Sequence, residues 1–240
     1  MNRNAFARTG GGLYLAVGML GGFAEAVRSS VRVPGDTAAT ASNIASHAGL
    51  LRASVAADLV DMVCFLGVAL VLYTLLKQVN AGVAIAMLVI NAVSVAITGL
   101  NLLNQVGALL VVTDPSYTAG MTAAQAVDLA AMLFGFQHQG YLIAQVFFGL
   151  YLAPLGYLVY RSPEFNRLLG VVLVVGSAGY LAGVVATYLS PTLDSSLAIP
   201  FGMVGGVAEI AFLVWLLARG VRRTSPLPAP TKSTLGGQIA

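Results

Sequence analysis

Six residues of this 240-residue chain have types and positions suited to chemistry inside an apolar body: Glu25, Asp58, Asp61, Asn101, His138 and Glu209. All lie in or beside long apolar runs. An ionisable group at bilayer depth costs at least about 2.5–3.5 kcal/mol on insertion scales, so each calls for an explanation. Glu209 falls about ten residues into the last apolar run, hence about 15 Å deep at ~1.5 Å per residue. Asp58 and Asp61 are three apart and share a helix face. Asn101, Asn104 and Gln105 lie on one side of the next segment, and His138, Gln139 and Gln145 on the one after.

Three kinds of chemistry suit this set. In a low-dielectric pocket the carboxylates complement a small polar or cationic ligand, or a lipid headgroup, more strongly than in water. Alternatively, a metal could activate water at the outer interface, with a carboxylate as general base, making an intramembrane hydrolase. The third reading is a structural or sensory bundle whose Asn and Gln only tie helices together. Metal ligation needs three or four converging ligands, and His47 and His138 are the only histidines, with no HExxH. The sequence assigns no metal and names no cofactor. Cys64 stands alone in Asp61-Met-Val-Cys-Phe-Leu66, which excludes an intrachain disulfide and reads as a small buried hydrophobe. There is no G-x-S-x-G and no Walker A loop.

Composition sets the solvent. With 58% hydrophobic residues, 9% charged and a mean hydropathy of +0.87, the chain cannot cover a water-facing globule, and it is too apolar for disorder. A bilayer core about 30 Å thick needs about 20 apolar residues per helix. Segments near 10–27, 54–76, 82–110, 138–160, 166–189 and 199–220 meet that demand. The expected fold is all-α: an integral membrane bundle of six transmembrane helices over residues 1–220, with two short amphipathic helices, 37–52 and 122–136, on the outer side. Residues 221–240 read as a disordered, Pro-rich cytoplasmic tail.

Arg3, Arg8, Lys77, Arg161, Arg167, Arg219, Arg222, Arg223 and Lys232 fall on one side of such a bundle, and Arg28, Arg32 and Arg52 on the other. The excess places both termini in the cytoplasm of a multi-pass plasma membrane protein, and this clustering at helix ends reads as a topology signal, not as a nucleic-acid site. Arg3 and Arg8 before an apolar stretch ending in Ala24-Glu25-Ala26 also resemble a signal peptide, but the stretch is long enough to be a retained first helix. Most polar candidates fall in the outer half, which predicts an outward-facing polar pocket rather than a continuous pore. Gly18/Gly22, Gly179/Gly183 and Gly202/Gly206 form small-xxx-small pairs, read first as packing within the bundle and second as a face for a second copy.

Several strings carry a family resemblance. They include Glu25 with Val27-Arg-Ser-Ser30, Val33-Pro-Gly-Asp-Thr-Ala-Ala-Thr-Ala-Ser-Asn-Ile44, Leu72-Tyr-Thr-Leu-Leu-Lys-Gln-Val-Asn80, Gly156-Tyr-Leu-Val-Tyr-Arg-Ser162 and Ala208-Glu-Ile210. Together they resemble the bacterial membrane family called domain of unknown function 4386. The resemblance implies six helices and no established reaction. The family's third-helix arginine falls on Asn91, and its histidine before the fourth helix falls on Gln137, with His138 one position along.

Overall fold

The computed structural model describes residues 3–189 and 199–221, and among these every regular element is helical. The helices are α1 (Arg3–Val31), α2 (Thr37–Ser46), α3 (Ala48–Leu76), α4 (Ala81–Thr113), α5 (Ala123–Arg161), α6 (Arg167–Leu189) and α7 (Ile199–Ala218), with a 3-10 turn at Pro115–Tyr117. The expected tail and the basic residues Arg222, Arg223 and Lys232 lie outside the described residues. Helices α1, α3, α4, α5 and α6 are long and apolar enough to cross a membrane, and α7 contributes a shorter apolar stretch, Gly202–Ala218.

Local sequence sets the helix starts. The Asp36 side chain accepts from the Ala39 amide at 2.8 Å and opens α2. Asn80 does the same for α4 through Val83, at 3.1 Å. Thr122 and Gln125 form a reciprocal capping box at the start of α5. Gly35, at φ +80, turns the chain between α1 and α2 where a side chain would be strained.

Two boundaries differ from the sequence expectation. The helix expected at 122–136 is not a separate element: α5 runs unbroken for 39 residues. Nothing between Phe136 and His138 stops a helix, since Gly135 and Gly140 only weaken one and the proline comes later, at Pro154. The helix expected at 37–52 instead ends at Ser46, and α3 begins at Ala48, with His47 as the hinge between them.

The long helices form a closed ring in the order α1, α3, α4, α5, α6, α7, with α7 returning to α1, and α2 lies against α5 and α4. The α6–α5 and α6–α7 seams close through glycine. A side-chain carbon at Gly170 would sit 2.6 Å from the Gly156 carbonyl oxygen, and one at Gly176 would sit 2.7 Å from the Ala208 methyl. Lipid provides no hydrophobic drive for such contacts, so close backbone approach takes its place. Of the glycine pairs anticipated from spacing, Gly18 and Gly22 are open: a side-chain carbon at either would meet nothing within 4 Å.

Apolar packing splits into two clusters. The larger fills the bundle around Leu72, Leu76, Met87, Tyr151, Leu155 and Phe212. The smaller, Val27, Val31, Ile44, Leu51, Leu109 and Phe134, gathers at the end that bears α2. At the opposite end Arg3 ties α1 to Glu164 at 2.9 Å and to the Leu75 carbonyl at 3.2 Å.

One buried group is out of keeping with the packing. Asn91 on α4 has no exposure, and neither amide atom has a partner. An unsatisfied buried amide costs about 1–3 kcal/mol, so Asn91→Leu is expected to stabilise the protein by about 1–2 kcal/mol. Thermal unfolding in detergent checks this; a lowered midpoint would show that the amide is satisfied after all.

Candidate functional site

A cavity of about 270 Å³ lies where all six long helices converge, between the two apolar clusters. Helix α1 brings Gly18, Gly21, Gly22 and Arg28 to its wall, α3 brings Asp58, Asp61 and Phe65, and α4 brings Thr98 and Asn101. Helix α5 adds Gln137, Tyr141, Gln145 and Phe148, α6 adds Tyr180, and α7 adds Glu209. These positions lie in the α2-bearing half of α1, α3 and α4 and near the middle of the others.

The charges inside are unequal. Arg28 is buried and donates from Nη1 to Asp58 at 2.5 Å and from Nε to Glu25 at 3.0 Å. It also lies over the Tyr141 ring, 5.9 Å from its centre. One cation is thereby consumed by two carboxylates. Asp61 and Glu209 make no ion pair among the described residues, and Asp61 Oδ1 is enclosed with no hydrogen-bond partner. The cavity wall therefore carries three carboxylates, Asp58, Asp61 and Glu209, against one guanidinium.

Glu209 is held by tyrosines. Tyr14 donates to Oε1 at 2.6 Å and Tyr180 to Oε2 at 2.8 Å. Tyr14 has one hydroxyl proton, given to Glu209, so the 3.2 Å contact with Tyr151 is donated by Tyr151. Both carboxylate oxygens are pinned, yet Glu209 keeps part of its surface open to the cavity. Phe65 packs edge-on against Phe148 at 5.7 Å and Tyr151 at 5.5 Å, which gives the acidic pocket an aromatic wall.

Of the six sequence candidates, Asp58, Asp61, Asn101 and Glu209 reach the cavity. Glu25 does not line it; it accepts from Arg28 and from Ser29 at 3.1 Å at the rim. His138 is also not among the lining residues, and its neighbour Gln137 takes the wall position. Asn101 bonds across helices, donating to the Gln137 carbonyl at 2.7 Å, over Gly140, where a side chain would collide with its amide. Gln105 likewise donates to Ser54 at 2.8 Å. Sequence reasoning missed Arg28, Tyr14, Tyr141 and Tyr180. For Arg28 the available signal was its spacing of three from Glu25; for the tyrosines it was the need of a deep Glu209 for donors. Among the described residues no three His, Cys, Asp or Glu gather to hold a metal ion.

A ring of apolar helices closed around a polar centre defines a multi-pass membrane protein. The chain belongs to the family described as Domain of unknown function (DUF4386), whose pattern matches residues 9–220. It is also similar to an uncharacterized protein of Archaeoglobus fulgidus, 30% identical over 89 residues, which is 37% of this chain and 51% of that one. The chain thus spans about half the length of that curated relative. No solved structure matches the chain.

Proposed function

We propose that this protein binds a small cationic ligand, or the cationic part of a lipid headgroup, in the cavity between its helices. The observation that carries the reading is the charge imbalance: Arg28 is occupied by Asp58 and Glu25, while Asp61 and Glu209 face the same space without a cation. An ammonium group supplies the missing charge, and aromatic faces add cation–π attraction.

In this reading α7 crosses the membrane as a sixth span and both termini are cytoplasmic, in a bacterial plasma membrane. The cluster of Arg3, Lys77, Arg161, Arg167 and Arg219 at one end of the helices supports that orientation. The cavity then belongs to the outer half, and α2 and the first turns of α5 lie on the outer side.

The test uses protein in lipid nanodiscs, with the thermal midpoint read against tetramethylammonium and, as the anionic match, acetate. The cation is expected to raise the midpoint and the anion to leave it unchanged, since a ligand that binds only the folded state stabilises it. Glu209→Gln keeps the side chain's shape and removes its charge. It should weaken the cation's apparent affinity about tenfold, roughly 1.4 kcal/mol of lost charge attraction. Equal affinity in the variant and the parent would remove Glu209 from the site.

A further inference from the structure

Apolar clusters flank the cavity at both ends of the bundle axis. Toward the α2 end it meets the cluster of Val27, Val31, Ile44, Leu51, Leu109 and Phe134. Toward the other end lies the main apolar core.

The seam between α1 and α7 is different. The two helices meet at three levels, all in their lower part. The Val221 amide donates to Asn4 at 3.2 Å, Gly11 sits against Leu216 and Leu217, and Tyr14 bonds Glu209. A side-chain carbon added at Gly18 or Gly22 on α1, or at Gly206 on α7, would meet nothing within 4 Å. Gly18 and Gly22 are exposed on the outer surface and at the same time line the cavity. On the same stretch of α1, Leu15 and Met19 are exposed apolar side chains of the kind that face hydrocarbon.

We propose that the cavity is entered sideways from the bilayer, through the α1–α7 seam above the Tyr14–Glu209 bond, and that its occupant is the ammonium head of a membrane-dissolved amphiphile. The head sits between Asp61 and Glu209 against Phe65, Phe148 and Tyr180, and the chain leaves over Gly18 and Gly22 into the lipid. At about 270 Å³ the cavity accommodates a headgroup but not a long chain as well, so the chain has to remain outside. The glycines serve here as a slot rather than as a helix-packing motif. This inference rests on the cation-binding reading above and adds the route and the form of the ligand.

The experiment compares dodecyltrimethylammonium, tetramethylammonium and dodecanoate on nanodisc-embedded protein, below their micellar concentrations. The parent and Gly22→Leu are measured side by side, with the oligomeric state of each read by light scattering. Gly22 has open space on its outward side, so the leucine narrows the slot without displacing a neighbour. The expected result is stabilisation by the long-chain cation and not by the anion, weakened at least about tenfold in Gly22→Leu, with tetramethylammonium affected far less. Equal loss or equal retention of both cations in the variant would overturn lateral entry while leaving the cation site standing. Binding of tetramethylammonium with exclusion of the long chain would do the same, because a site reached only from water cannot pass a tail. Failure of every cation to bind would end both readings. A parent dimer that Gly22→Leu converts to monomer would assign the open glycine face to a second copy and overturn the slot.

Discussion

Replacing Arg28 by methionine is expected to lower stability by about 3–5 kcal/mol and to reduce the yield of folded protein sharply. The guanidinium is the cationic partner of Asp58, a carboxylate with only 4% of its surface exposed, and Glu25 is half open at the rim. Methionine keeps the volume of the stem and strands Asp58 as an uncompensated buried charge, which is the expensive way to break such a pair. Removing both partners, in Arg28→Met with Asp58→Leu, should restore most of the loss, because a buried ion pair and an apolar pair of similar volume differ little in free energy. The double variant separates the structural share of the pair from its ligand-binding share. Denaturation in mild detergent gives the free energies, and a simple sum of the two single losses in the double variant would show that the residues do not act together.

The second large effect belongs to the α5–α6 seam. In Gly170→Val, the new Cβ would fall 2.6 Å from both the Gly156 carbonyl oxygen and the Tyr160 amide nitrogen. Those are backbone atoms, which cannot rotate away as a side chain can, so the helices must separate along their contact. Overpacking of this kind costs about 1–3 kcal/mol for a modest side chain and more when the backbone itself is displaced. Gly170→Val should therefore abolish the folded monomer, and Gly170→Ala should lower its midpoint by several degrees. Gly12→Ala serves as the control, since nothing lies within 4 Å of its added carbon. There the better helix propensity of alanine should leave stability equal or up to about 1 kcal/mol higher. Matching losses at both positions would mean that the seam is not the cause.

These two sites show what the sequence carried and what it did not. Hydropathy located the five long apolar helices, because each needs a run of uninterrupted apolar residues that no loop tolerates. Cap chemistry placed the starts of α2 and α5, because Asp36 and the Thr122–Gln125 pair satisfy local amides without help from elsewhere. Spacing alone failed on glycine: small-xxx-small occurs along several helices, and only a neighbour's backbone distinguishes Gly170, which is in close contact, from Gly18, which is open. The start of α5 was read correctly and its length was not, because a capping box announces a helix but says nothing of where it stops. Arg28 was read as a marker of membrane orientation, since a basic residue near a helix end fits that rule as well as it fits an ion pair. Its true partners are three and thirty residues away, the second across the α1–α3 interface.

That interface bears on how the protein enters its membrane. Helices α1 and α3 carry opposite charges, joined once the two lie side by side. Lowered into lipid alone, α3 would take Asp58 in without its cation, at about 2.5–3.5 kcal/mol, whereas Arg28 of α1 already has Glu25 three residues back. Inserted together as a hairpin, they bring Asp58 in beside its cation. Burial of Asp58 thus favours joint insertion of the first two long helices over insertion one at a time. The ring, in contrast, cannot close until the last helix arrives, when the end of α7 reaches Asn4 and Glu209 reaches Tyr14. Until then the polar centre of the nascent bundle stands open to the bilayer along one whole side.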